Sequence, residues 1–184
     1  MSTPDPRIRH FIALDPPQPV RAGLAHCELA PGDEQAWRVD PADWHMTLVF
    51  LGKGYTAEAI LAAVGRVVAA SPGFELRLEV AGHWRHGGIA WMGLPDRPVP
   101  LITLQAALVE ALRPLGHQPG HLPFRPHVTL ARRAASPPIP GGIPIWPVRE
   151  VALMRGVEPM PDNGPRYERL RTLPLAAPRR LDGV

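Results

Sequence analysis

Arg125-Pro126-His127-Val128-Thr129-Leu130-Ala131-Arg132 carries the pattern His-x-Thr-Leu, which also occurs earlier in the chain as His45-Met46-Thr47-Leu48. Eight His and six Thr among 184 residues would give roughly a quarter of one His-x-Thr match by chance. Two matches, each followed by Leu and set among strand-forming residues, are therefore read as one device used twice. In a strand, residues i and i+2 share a face about 6.6 Å apart. His45 and Thr47 then point one way, with Val49 and Leu51 further along that face. Met46, Leu48 and Phe50 point the other way, into a core. His127 and Thr129 stand in the same relation to Val128 and Leu130. An imidazole and a hydroxyl at this spacing can each reach one phosphate, so the two segments are expected to face each other across a cleft.

The rest of the chain suits a folded enzyme of modest size. Its 184 residues suffice for one domain or two small lobes, and 45% of them are hydrophobic. The net charge of +3 suits a small anionic ligand and lacks the dense basic stripe of a long nucleic-acid track. Lys53 is the single lysine, so nearly all positive charge is arginine. Cys27 is the single cysteine, so no disulfide forms within the chain. The first fifteen residues hold no long apolar run, and no stretch of 18 apolar residues occurs. These features predict a cytoplasmic protein with no membrane span.

Outward from the two motifs, strands are expected over 8–14, 37–39, 44–51, 74–80, 89–94, 125–133, 148–154 and 166–173. Helices are expected over 20–29, 56–70 and 98–115. The 56–70 helix has Thr56 as its cap, Glu58 at the positive end of its dipole, and a stripe of Ile60, Leu61, Val64, Val67 and Val68. The 98–115 helix has a stripe of Leu101, Leu104, Leu108, Leu112 and Leu115 and stops at Gly116. Strands and helices without strict βαβ alternation predict an α+β fold, mostly antiparallel. The halves share a plan but not an order, because the first helix follows its motif and the second precedes it.

A histidine pair can hold one proton between them near neutrality, one ring serving as acid and the other as base. In-line displacement at phosphorus needs both at once, and each proton transfer contributes typically 10²–10⁴-fold. Threonine hydroxyls and a guanidinium would hold the non-bridging oxygens as charge develops. Neither a metal nor a cofactor is required.

The stretches Arg9-His10-Phe11-Ile12-Ala13-Leu14, Trp44 to Gly52 and Pro123 to Arg132, with Tyr167 and Leu173-Pro174-Leu175, resemble the two-histidine (2H) phosphoesterases. Within that superfamily they are most similar to the RNA 2′,3′-cyclic phosphodiesterase branch, historically called 2′-5′ RNA ligase. The resemblance spans nearly the whole chain. It implies a bilobal fold, with two mostly antiparallel sheets and flanking helices around a central cleft. One domain is expected over residues 1–177, with 178–184 as a disordered tail, and the chain is expected to be a monomer. The implied reaction opens an RNA 2′,3′-cyclic phosphate end to a 2′-phosphate. The implied proton donor is His45 and the acceptor His127, with Thr47, Thr129 and Arg132 binding the phosphate. Run backwards, the same site would make a 2′-5′ linkage. Partners would be RNA ends or small cyclic nucleotides.

Arg132 sits five residues from His127, which by strict alternation is the wrong face; a twist, a bulge or a curled side chain would be needed. Phe50 bears the same relation to His45 and reads as core. Phe11 and Tyr167 either stack a base or simply pack. Alternative substrates are another cyclic nucleotide or a nucleotide-sugar phosphate, and the non-enzymatic alternative is a nucleotide-binding module. His83-x-x-His86 and His117-x-x-x-His121 lack the companions of a metal site. Cys27 reads as a small buried residue of a helix.

Overall fold

The computed structural model describes residues 8–120, 123–157 and 165–177. The expected tail at 178–184 and His121 lie outside the described residues. Among these residues, ten strands and three α-helices follow in the order β1 (His10–Leu14), α1 (Gln18–Ala25), β2 (Trp37–Arg38), β3 (Met46–Gly52), α2 (Ala57–Ala70), β4 (Phe74–Leu76), β5 (Val80–Trp84), β6 (Ile89–Gly93), α3 (Val99–Leu112), β7 (His127–Arg132), β8 (Trp146–Val148), β9 (Glu150–Gly156) and β10 (Tyr167–Pro174). The fold is α+β and its strand pairs are antiparallel.

One sheet has the order β10-β9-β1-β3-β7-β6-β5, with β2 also pairing to β7; β4 and β8 form a second, two-stranded sheet. The large sheet consists of two limbs. Strands β10, β9, β1 and β3 run side by side, as do β7, β6 and β5. Among the described residues, the limbs are joined by one strand pair, Met46 of β3 with Val128 of β7. This seam is the bilobal division, and each limb contributes one His-x-Thr-Leu segment.

The core lies against one face of this sheet. Leu101, Leu104, Leu108 and Leu112 of α3 and Ile60, Val64 and Val68 of α2 pack in one cluster with Met46, Leu48, Val128 and Leu130. The α2 stripe buries as its 3.6-residue period requires, and Thr56 caps the helix by accepting from the Ala59 N–H at 3.2 Å. A small cluster of Phe11, Ala13, Ala152 and Met154, with Tyr167 packed on it, is separate from this core.

Four sequence expectations shift. The run 74–80 is two strands in two sheets. Leu76 and Leu78 are both buried because the chain crosses the core between the sheets; alternating apolar residues mark that crossing as readily as they mark one strand. The run 148–154 is likewise divided, Trp146–Val148 pairing with β4 and Glu150–Gly156 with β1 and β10. Helix α1 stops at Ala25, and Glu28 bridges to Ile139 instead. Phe50 is 57% exposed, for a reason that lies in the register of β3 described below.

Leu108 is fully buried at the centre of the α3 stripe. Leu108→Ala is expected to destabilise the protein by about 2–5 kcal/mol through lost transfer energy and a residual cavity. A lower urea midpoint with an unchanged slope is the expected readout.

Candidate active site

The antiparallel pair Met46–Val128 fixes where four polar side chains fall. Counting out from it sets His45 opposite Thr129 and Thr47 opposite His127. Met46 and Val128 are fully buried on the core face, so both histidines and both threonines lie on the other. All four line one cleft of about 200 Å³. The repeated motif thus becomes a two-by-two arrangement across the seam.

Both strands then break alternation at the same point. On β3, Ile12 pairs with Val49 but Ala13 with Thr47, so Leu48 is an extra residue. On β7, Ala90 pairs with Ala131 but Trp91 with Thr129, so Leu130 is extra. Such a bulge turns every later side chain to the opposite face. Phe50 and Arg132 therefore rejoin the histidine side, and both line the cleft. Of the routes open to Arg132, the bulge is the one taken. The expectation of Phe50 as core fails for the same reason, while Val49 becomes buried in its place.

Each histidine is held by its own motif. Nδ1 of His45 lies 2.7 Å from the Asp43 carbonyl, and Nδ1 of His127 lies 2.7 Å from the Arg125 carbonyl. A carbonyl can only accept, so each Nδ1 carries a hydrogen and each Nε2 presents a lone pair when the ring is neutral. Aromatic rings fix the remaining freedom. His45 has Phe11 at 4.8 Å and Tyr167 edge-on at 5.0 Å. His127 has Trp84 edge-on at 4.5 Å and Trp91 at 6.3 Å. Trp91 lies so close to Gly82 and Gly93 that a Cβ there would come within 2.0 and 2.7 Å of its ring.

Burial pushes both imidazoles below their ordinary value of 6.5, and the residual charges differ. Against burial, His45 has the Asp43 carbonyl and then the Asp43 carboxylate pulling it up; His127 pushes it down, and Asp15 pulls it up. His127 has the Arg125 carbonyl pulling it up and the Arg132 guanidinium pushing it further down. The carboxylates thus act on one ring and the guanidinium on the other.

Asp43 was not apparent from the sequence. Its buried carboxylate accepts from the Arg166 N–H at 2.8 and 2.9 Å and the Tyr167 N–H at 3.1 Å. One residue thus orients His45 through its carbonyl and anchors the start of β10 through its side chain. Asp15 supports the same half by pairing with Arg21 and, at 2.6 Å, with Arg169. At the cleft mouth the Arg166 guanidinium covers the Trp37 ring at 3.7 Å, and both line the cleft. A Trp or Arg alone carries no signal of this; only the fold brings residues 37 and 166 together. Phe11 is 3% exposed, packs against His45 and contributes to the lining of the cleft. Tyr167 is half-buried, meets Phe11 at 5.0 Å and lines the cleft.

The other histidines stay apart. His83 Nε2 bonds the Ala134 carbonyl at 2.9 Å, His86 is exposed and His117 is buried. Among the described residues no three His, Cys, Asp or Glu side chains cluster as a metal would need. Cys27 is buried, and burial pushes its thiol up. No helix among the described residues is long and apolar enough to cross a membrane.

Comparison with known proteins gives a consistent result. Residues 16–155 match the family described as the 2′-5′ RNA ligase superfamily. The chain is 34% identical over 130 residues to the RNA 2′,3′-cyclic phosphodiesterase of Escherichia coli, covering 69% of this chain and 73% of that one. It is 31% identical over 182 residues to the Thermus thermophilus protein of the same name, covering 91% and 90%. Among solved structures, E. coli LigT complexed with 3′-AMP superposes with a TM-score of 0.77 at 30% identity, covering 91% of this chain and 97% of that one.

The two ring environments are separable by titration. In NMR, His127 is expected to titrate below 6.5 in the intact chain and at a higher pH in Arg132→Met. The substitution removes a positive charge while keeping an apolar stem.

Proposed function

Because the chain belongs to the 2′-5′ RNA ligase superfamily, within the two-histidine phosphoesterases, we propose that it opens RNA 2′,3′-cyclic phosphate ends to 2′-phosphomonoesters by histidine acid–base catalysis. The observation that carries this reading is the pair of Nδ1-locked histidines, one from each limb, lining one cleft with a threonine apiece. Relatives named for this activity at 31–34% identity support the substrate class, and the complex of E. coli LigT with 3′-AMP supports a nucleotide as the kind of ligand.

In the proposed reaction the cyclic phosphate lies between the rings. Neutral His127 accepts a proton from water at Nε2 as the water oxygen attacks phosphorus. The P–O3′ bond breaks opposite it, and His45 delivers a proton from Nε2 to the departing O3′. The phosphate stays on O2′. Thr47 and Thr129 donate hydroxyl hydrogens to the non-bridging oxygens, and Arg132 offsets the growing negative charge. The charge pattern supports this division of roles: carboxylates favour a proton on His45, and Arg132 disfavours one on His127. Two proton carriers and a cationic cradle complete the step without a metal.

The family name includes ligation. The reverse reaction has a 5′-hydroxyl in the place of water, its proton passing to His127 while O3′ receives one from His45. The described chain is read as one catalytic unit of two limbs, acting on RNA ends or small cyclic nucleotides.

Incubation with a 2′,3′-cyclic-ended oligonucleotide should yield a 2′-phosphate, identified by mass and by resistance to enzymes specific for 3′-phosphates. His45→Ala and His127→Ala should each lower turnover about 10²–10⁴-fold without loss of fold by circular dichroism, and EDTA should leave the rate unchanged. Parent-level turnover in both variants would overturn the assignment.

The pH dependence follows from the two shifts. The productive free enzyme is protonated on His45 and neutral on His127. Activity falls as pH rises through the pKa of His45 and falls as pH drops through that of His127. Burial lowers both, so kcat/KM should peak below pH 6.5. A bound phosphate anion favours imidazolium, so the kcat profile should lie at higher pH.

A further inference from the structure

The His127 ring is a wall shared by two cavities. One is the cleft; the other is a pocket of about 280 Å³ on the limb of β5, β6 and β7. Three aromatic side chains line this second pocket, Trp84, Trp91 and Phe124, together with Arg97 and Arg125. Arg97 bonds the Phe124 carbonyl at 3.4 Å through Nη2 and is exposed, as is Arg125. Asp96 is the one carboxylate in the lining, so two guanidiniums outnumber it.

In-line chemistry makes the position informative. The incoming oxygen enters beside the group that takes its proton, and the leaving oxygen departs on the far side. With His127 as that group, a pocket that borders its ring and not that of His45 lies toward the side of the incoming oxygen. A water molecule needs no such volume. A nucleoside with a 5′-hydroxyl does, and rings plus guanidiniums are the surface that a base and its following phosphate would meet. We infer that the pocket formed by Trp84, Trp91, Phe124, Arg97 and Arg125 seats the first nucleotide of an RNA strand ending in a 5′-hydroxyl. Occupied, it directs the site to 2′-5′ transesterification; empty, it leaves the site to water.

This inference rests on the proposed acid–base roles and extends them. The step balances without a co-reactant. The 5′-oxygen bonds to phosphorus and gives its proton to His127 Nε2. The P–O3′ bond breaks, and O3′ takes a proton from His45 Nε2. No water is produced, and the product is a 2′-5′ phosphodiester with a free 3′-hydroxyl. In reverse, a 2′-5′ linkage is cleaved to a cyclic phosphate and a 5′-hydroxyl, the downstream nucleoside leaving through the pocket.

The test compares two substrates on the full chain. Adenosine 2′,3′-cyclic phosphate needs only the cleft; a 2′-5′-linked diadenosine that carries a further phosphate on the 3′-oxygen of its downstream nucleoside needs the cleft and the pocket. Arg97→Glu reverses a charge in the pocket, and Phe124→Leu removes an aromatic face while keeping apolar bulk. Each variant is expected to lower kcat/KM for dinucleotide cleavage at least tenfold and to leave cyclic-phosphate hydrolysis within twofold. Equal loss on both substrates, or no loss on either, would overturn the inference. A parent chain that hydrolyses the cyclic phosphate but never cleaves the dinucleotide would overturn it too, leaving the hydrolytic reading intact. A parent chain inactive on the cyclic phosphate would remove the hydrolytic reading itself and this inference with it.

Discussion

One hydrogen bond, made twice, governs the site. Each histidine donates Nδ1–H to the carbonyl two residues before it, at 2.7 Å in both limbs. That bond selects the tautomer and so decides which nitrogen faces the cleft. It is made within a three-residue stretch, so it depends little on distant packing. The surrounding rings, Phe11 and Tyr167 on one side and Trp84 on the other, restrict what rotation remains. They also exclude water, which is why both rings resist protonation at rest. The charge placed near the two rings is unequal: carboxylates toward His45, a guanidinium toward His127.

The parts of this arrangement legible in the sequence are those with local causes. His45, Thr47, His127 and Thr129 fall on one face because a strand alternates with period two, and the leucine stripe of α3 buries because a helix repeats near 3.6. What escaped the reading depends on residues far apart in the chain. A bulge exists only relative to a partner strand, so Leu48 and Leu130 look like ordinary members of an alternating run. Alternation alone therefore sends Phe50 to the core and Arg132 to the wrong face, and one bulge in each strand corrects both. The crossing at residues 76–80 mimicked one strand for a similar reason. Asp43, Trp37 and Arg166 carry no local sign of their roles, because their partners lie on other strands or loops.

The two bulges show how a fold reconciles competing demands on one strand. The early part must aim an imidazole and a hydroxyl at the cleft while Met46 and Val128 fill the core. Strict alternation would send the residue five positions after each histidine into that core. The extra leucine changes the parity, buries two consecutive apolar residues and returns Phe50 and Arg132 to the cleft. One side chain supplies a ring and the other a charge from equivalent places.

Among the described residues, the limbs pair strand to strand only at the Met46–Val128 rung, above a core that both share. The carbonyl and the aromatic rings that hold each histidine lie on its own side of that rung, while His127 also acts across it on His45. The two limbs are therefore separate cartridges for holding an imidazole, coupled to each other through charge. Their spacing could drift over evolutionary time to suit a larger or smaller bridging anion, with neither cartridge needing to be rebuilt.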